Sequence, residues 1–327
     1  MPLPVHPAAA CLPLLLAGLP ALGQATPSHQ PPRGDQPTPA LSPAAPAAES
    51  PVPPARPVNY SVEARAELNL AADFDSGAGD MTVTRAGGAF GAAIPAGMRG
   101  QIDVGVDYEF SHYSFSETGS LVAGVANPWD DIHRVELSVR YSRQHSQQVS
   151  WLVGGSLGGS GEDGADGSES LFGSVFGGVR YALNREVTLG FGLGVRTRIE
   201  DSPTVFPLPL VTWQINERWR LSTTGRPGVS LSYTPLETLS FHVSGAYDMR
   251  DFRLDENGPI PGGVGRETRV PVTIGVTHTP IPQVVLMAEV GVAFAQRLEV
   301  MNSGGDEIAD EDLDPSALLR VSFTYRF

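Results

Sequence analysis

Tyr60-Ser61-Val62-Glu63-Ala64-Arg65-Ala66-Glu67-Leu68-Asn69-Leu70 alternates apolar and polar side chains without a break. A helix, with a period of 3.6, would scatter these residues around its surface. A strand sorts them instead, with Tyr60, Val62, Ala64, Ala66, Leu68 and Leu70 on one face and Ser61, Glu63, Arg65, Glu67 and Asn69 on the other. Val135, Leu137, Val139 and Tyr141 repeat the pattern against Arg134, Glu136, Ser138 and Arg140. So do Val187 to Val195, Phe241 to Met249, and the stripe Val284, Leu286, Ala288, Val290, Val292 and Phe294. These runs of about 9 to 15 residues exceed the usual five or six of a globular strand, whereas a tilted strand needs about 9–11 to cross a bilayer. Length therefore points to an antiparallel transmembrane β-barrel.

The connections agree. Longer or acidic ones fall near residues 75–80, 116–131, 159–169, 200–203, 254–267 and 298–314. Tight ones fall near 95–98, 143–147, 182–185, 215–218, 235–238 and 279–282. Such alternation is the habit of outer-membrane barrels, with short periplasmic turns and long outer loops. A hairpin at Gly225–Gly228 completes the series and gives 14 strands, or 12 if its short flanks are not separate strands. Tyr141, Trp151, Tyr181, Trp213, Trp219 and Tyr233 all lie near tight turns, as an interfacial aromatic girdle requires.

Composition narrows the function. Acidic residues outnumber basic ones 36 to 22, for a formal net charge of −14, and every basic residue is Arg. Without basic clusters, a nucleic-acid partner is not expected. The single cysteine, Cys11, excludes a disulfide framework and a Cys-based metal site. Residues 1–23 read as a secretory signal peptide, ending in Ala21-Leu22-Gly23. Residues 24–58 follow as a Pro/Ala-rich linker, too polar and too proline-laden to bury a core, and expected in the periplasm.

The last strand carries the most specific signal. Leu319, Val321, Phe323, Tyr325 and Phe327 alternate with Arg320, Ser322, Thr324 and Arg326, and Phe327 ends the sequence. This resembles the sorting signal of bacterial outer-membrane β-barrel proteins. The resemblance implies that Phe323, Tyr325 and Phe327 engage the barrel assembly machinery and that outer-membrane lipids surround the product. Residues 185–300 also resemble a family of uncharacterised bacterial outer-membrane barrels, a domain of unknown function. The likeness rests on Phe191-Gly192-Leu193-Gly194, Val205-Phe206-Pro207, Trp213 to Trp219 with Ile215-Asn216, Tyr233-Thr234-Pro235 and Asp251-Phe252-Arg253. It implies a fold and assigns no substrate.

With the apolar stripes facing lipid, the opposite faces line a lumen. Its candidate lining residues are Glu63, Arg65, Glu67, Arg134, Glu136, Arg140, Arg180, Arg196, Arg220, Arg320 and Arg326. Guanidinium groups in an aqueous pore favour anions, and the same groups can instead pair with the glutamates and close the interior. No ladder of aromatics shows on the lumen face. Glu162, Asp163, Asp166 and Glu169 crowd one outer loop, and Asp306, Glu307, Asp310, Glu311, Asp312 and Asp314 another. Neither run has the spacing of an EF-hand loop, so they read as solvated surface; no metal site and no cofactor are assigned. His112 lies near Ser111 and Ser114, and His242 shares a face with Ser244, without a nucleophile motif, so no catalytic residues are expected.

The sequence thus describes a porin-like or structural outer-membrane barrel over 59–327, passing small solutes passively with an anion preference. The contrasting readings are a soluble secreted β-sandwich that binds a ligand and, third, an outer-membrane lipid-modifying enzyme.

Overall fold

The computed structural model describes residues 57–77, 79–116, 121, 122, 125, 127–223 and 227–327. The signal-peptide reading and nearly all of the linker lie outside the described residues, as does the first half of the Gly225–Gly228 turn. Among the described residues seventeen strand segments follow one another without a helix. They are β1 (Asn59–Asp73), β2 (Asp80–Ala96), β3 (Gly100–Ser116), β4 (Asp131–Gln144), β5 (Val149–Glu162), β6 (Leu171–Ala182) and β7 (Val187–Arg198). Then come β8 (Asp201–Pro209), β9 (Thr212–Gln214), β10 (Trp219–Thr223), β11 (Gly228–Leu236), β12 (Leu239–Ala246) and β13 (Asp248–Arg253). Last are β14 (Val264–Ile281), β15 (Val284–Met301), β16 (Glu307–Leu313) and β17 (Ser316–Arg326).

Three of these segments continue a broken neighbour. β8 and β9 both pair with β7, β12 and β13 with β14, and β16 and β17 with β15. The wall therefore has fourteen strands. It closes because β1 pairs antiparallel with β17, from Ser61↔Arg326 to Asn69↔Leu318.

Closure leaves no sheet edge, and the period-two stripes point away from the lumen. Leu157, Val175 and Phe191 are 61%, 64% and 59% exposed, and Val106, Leu137, Val139, Val179, Leu193 and Ile274 stand out beside them. A water-soluble fold does not leave so broad an apolar band bare. The sandwich reading, which needs these stripes inside, is overturned. Among the described residues no helix is long and apolar enough to cross a membrane; here the strands do so. All six girdle aromatics face outward near the short turns. Tyr141 packs edge-on against Trp151 at 5.1 Å and Trp219 tilts against Tyr233 at 4.8 Å. Phe327 joins them, stacked on Tyr60 at 5.6 Å.

At the opposite, long-loop end the structure departs from expectation. Residues 298–314 are not an acidic loop: β15 runs to Met301 and β16 pairs back along it, leaving only 302–306 between. Residues 264–267 belong to β14, and β5 reaches Glu162. The reason lies at Ala295, whose φ of 47° places it in the left-handed region and forms a bulge against Thr268/Val270. The extra residue exchanges the two faces. Before it Glu289 and Ala293 are buried, and beyond it Gln296, Leu298 and Val300 are. An alternation read straight through that point loses its phase.

Those inverted residues help fill the long-loop end with an apolar core. Met81, Val83, Tyr113, Trp129, Ile132, Phe252, Leu254, Leu298 and Val300 form its centre, and Trp129 is 1% exposed. Its indole meets Phe115 and Phe252 edge-on at 5.2 and 5.3 Å. β13 makes this possible: it leaves the line of β12 and touches β5 at Arg253↔Gly161. Replacing Trp129 by Ala should cost about 3–5 kcal/mol, as for other fully buried aromatics. Urea unfolding of the detergent-folded barrel measures this, and a loss below about 1 kcal/mol would place Trp129 outside a packed core.

Candidate functional site

Below that core the lumen is occupied unevenly. On the side of β1, β2, β14, β15 and β17, long ionic side chains interlock. Glu67 Oε1 accepts from Arg85 Nη1 at 2.8 Å and Arg269 Nη2 at 2.6 Å, while its Oε2 accepts from Arg320 Nη2 at 2.6 Å. Glu267 accepts from Arg85 and from the Tyr113 hydroxyl. Arg320 also reaches Glu289 at 3.1 Å, and Glu289 meets His242 Nε2 at 2.7 Å. Glu67, Arg85, Glu267 and Arg269 are all buried. Charges held this far from water persist only where every partner is present.

Nearer the long loops, Arg266 bridges Asp251 and Glu299 at 2.6 Å each, and Arg253 pairs with Glu200 and Glu169. The acidic loops are therefore less solvated than their composition suggests. Glu311 accepts from Ser76, and Arg297 pairs with Asp310 at 2.5 Å and Asp312 at 3.6 Å. Asp166 stays exposed in its turn, where the Ser168 hydroxyl and amide donate to it and hold its carboxyl below the usual range.

The other side of the lumen, from β3 to β8, holds a cavity of about 570 Å³. One wall of it is ionic but internally paired. Arg65 grips Asp107 with two hydrogen bonds of 2.6 and 2.7 Å, Arg140 meets Asp103 at 2.9 Å, and Arg134 meets Glu136 at 2.6 Å. Arg250 completes that wall, bound to Glu109 at 3.0 Å. The facing wall is apolar, formed by Phe172, Phe176, Phe206 and Leu208. Their rings lie across glycines of the adjoining strands. A Cβ at Gly158 would stand 2.6 Å from Phe172 Cζ, one at Gly154 2.6 Å from Phe176 Cζ, and one at Gly194 2.4 Å from Phe206 Cζ. The glycines of β5 and β7 thus clear room for rings inside the barrel.

Of the lining residues read from the sequence, Glu63, Arg65 and Glu67 turn inward from β1, Arg134, Glu136 and Arg140 from β4, and Arg180 and Arg196 from β6 and β7. Arg220, Arg320 and Arg326 turn inward from β10 and β17. The structure does not gather them into one ring. Glu67 and Arg320 belong to the network, while Arg134, Glu136, Arg140 and Arg196 border the cavity. Arg220 meets Gln214 near a short turn, and Arg326 stands opposite Ser61 beside the chain end. A second space of about 390 Å³ opens at the short-turn end, where Arg99, Arg143 and Arg180 line it.

The lining set read from the sequence leaves out Arg85, Glu267 and Arg269, on β2 and β14 with no clean outward stripe to announce them, and Arg250, which stands on the polar face of the Phe241 to Met249 run. It also leaves out the three inward phenylalanines, although Phe172 and Phe176 share the parity of Arg180 on β6. The His–Ser proximities do not form hydrogen bonds. His242 binds Glu289, Ser244 binds Thr273 at 2.8 Å, and His112 faces outward to Asp131 at 2.7 Å and Asp130 at 3.0 Å. Those last three are the described residues whose donor atoms lie close enough to share a metal ion.

No family model matches the chain, and no curated protein matches it. Solved structures do. An outer-membrane channel from Pseudomonas putida F1 aligns over 84% of this chain and 97% of its own, at 10% identity and a TM-score of 0.49. A Pseudomonas aeruginosa FadL homologue aligns over 82% and 90%, at 10% identity and a TM-score of 0.45. The KdgM porin aligns over 82% and 99%, at 12% and 0.35. This chain is an outer-membrane-type β-barrel. That statement rests on its own closed register and bare apolar belt.

Glu67 is the hub of the buried network, so Glu67→Ala takes one carboxylate partner from Arg85, Arg269 and Arg320 at once, leaving them to pair with Glu267, Asp248 and Glu289. The expected loss is about 3–5 kcal/mol in urea midpoint measurements, the range for breaking a buried pair. Arg326→Ala, at the exposed chain end, should change the midpoint by less than about 0.5 kcal/mol.

Proposed function

We propose that the barrel is a narrow diffusion channel of the bacterial outer membrane, passing small solutes along its β3–β8 side with a preference for anions. One observation carries this reading: the lumen is filled on one side and hollow on the other, and unpaired arginines stand along the hollow side. Among the described residues no carboxylate lies within 4 Å of Arg196 in the cavity, nor of Arg180 or Arg99 towards the short turns. An uncompensated guanidinium column raises the local concentration of anions and repels cations.

In this reading the chain is exported, residues 24–58 and the short turns lie on the periplasmic side, and lipids of the outer membrane surround the belt. The stripe Phe323, Tyr325 and Phe327 serves the assembly machinery before β17 closes on β1. A second, structural role is favoured by the apolar core, which closes much of the long-loop end. An enzyme is disfavoured because neither candidate histidine holds a serine.

Two measurements test the proposal. Detergent-extracted protein should change gel mobility on boiling, and in a planar bilayer it should give a small unitary conductance. Under a KCl gradient the reversal potential should report chloride preference, which Arg180→Glu reduces or reverses. A heat-modifiable protein that never conducts contradicts the channel and leaves the structural role. Deleting Phe327 should lower the amount of heat-modifiable barrel in the outer membrane at least severalfold, with the unfolded form accumulating.

A further inference from the structure

The strand registers place five polar side chains in one row across the cavity floor. Ser138 of β4 stands opposite Ser156 of β5, Ser156 opposite Ser174 of β6, and Ser174 opposite Arg196 of β7. Arg196 in turn faces Thr204 of β8. All five residues line the same cavity.

Arg196 is held but unsatisfied. Its Nη1 donates to the Met249 carbonyl at 3.1 Å, which fixes the guanidinium plane, while its Nη2 is buried without any hydrogen-bond partner. The Phe172 ring lies 5.5 Å from its Cζ and 4.4 Å from that of Arg134. Two guanidinium groups therefore share one ring, and among the described residues Glu136, bound to Arg134, is the one carboxylate within 4 Å of either. Arg196 thus lacks a carboxylate in contact with it, and Asp251, Glu136 and Asp248 act on it only from farther away. A buried donor without an acceptor is costly, and an ionised one more so.

On the short-turn side of the row the wall changes character. Phe176 follows Ser174 by two residues on β6, and Phe206 and Leu208 follow Thr204 on β8. A molecule lying here meets hydroxyls and a guanidinium at one end and rings at the other. The volume is in the range of small-molecule sites.

Resting on the channel reading, which it deepens, we propose that this row is a binding subsite for a small organic carboxylate with a compact apolar body. The carboxylate accepts from Arg196 Nη2 and from the Ser174 and Ser156 hydroxyls, now bonded to each other at 2.8 Å. The body lies against Phe176, Phe206 and Leu208. Inorganic anions satisfy the head and gain nothing from the rings. Neutral analogues gain the rings and leave the guanidinium unpaired.

The test uses full-length protein folded in detergent and ¹⁹F NMR with 4-fluorobenzoate as probe, 4-fluorobenzamide as its neutral counterpart, and acetate as competitor. Saturable broadening of 4-fluorobenzoate is expected, with 4-fluorobenzamide weaker by about tenfold or more, the value of a hydrogen bond to a charged group. Acetate should also be weaker by about tenfold or more, because it loses the apolar contacts with the rings. Arg196→Gln should weaken binding by about tenfold, and Arg196→Lys should recover part of it. Ser174→Ala should weaken it about threefold, and Arg220→Gln should leave it unchanged. Boiling-dependent mobility confirms that each variant folds. Equal binding of the amide, or unchanged affinity in Arg196→Gln and Ser174→Ala, overturns the proposal, as does the absence of saturable binding. Conductance recorded on the same preparations separates the two readings. Binding without conductance removes the channel and keeps the subsite, and conductance without binding does the reverse.

Discussion

The antiparallel ladder between β1 and β17 joins the beginning of the described chain to its end. In hydrocarbon an unpaired N–H or carbonyl has no water to turn to, so a sheet survives there only when it has no edge. The pairing from Ser61↔Arg326 to Asn69↔Leu318 removes that edge. It also fixes which way every side chain points, because a slip of one residue would exchange the two faces all round the barrel. The outward belt, the girdle around the short turns and the inward charges are consequences of this single register. So is the meeting of Glu67 with Arg320, which belong to opposite ends of the chain and share a pair in the ladder.

Inside, the barrel resolves a conflict between charge and burial in two ways. Along β1, β2 and β14 to β17 the charges are matched so closely that Glu67 alone serves three arginines. Such an arrangement contributes more to a unique interior than to net stability, because desolvation offsets much of the Coulomb attraction. Along β5 to β8 the inward positions are mostly glycine, serine, phenylalanine and leucine, which need no charged partner and leave space. The cavity exists because glycines of β5 and β7 let rings lie flat against the wall instead of projecting across the lumen. Arg196 stands at the seam of the two regimes and keeps one nitrogen without an acceptor.

The architecture was legible because a membrane barrel writes its fold on its outside. Lipid enforces an apolar residue at every second position, and Tyr60 to Leu70 or Leu319 to Phe327 display that rule cleanly. The lumen follows no comparable rule. Its side chains answer to partners across the barrel, so Arg134 and Arg140 could be placed inside from parity while their division from Arg320 could not be foreseen. The burial of Arg250 and Phe252 was hidden because β13 departs from the line of β12 while staying paired with β14, and buries both faces. Leu298, Val300 and the acidic stretch to Asp314 were misread as loop because the bulge at Ala295 shifts the phase, an event set by tertiary register and written as an ordinary alanine.

The central claim is that the lumen is filled on one side and open on the other. Cysteine labelling from water tests it most directly, with the parent chain as background for Cys11. A charged methanethiosulfonate reagent should modify Ser174→Cys in the folded barrel. It should leave Thr273→Cys untouched until the protein is unfolded, since Thr273 is 2% exposed within the ionic network. Equal labelling at both positions, or protection of Ser174→Cys, would contradict the account.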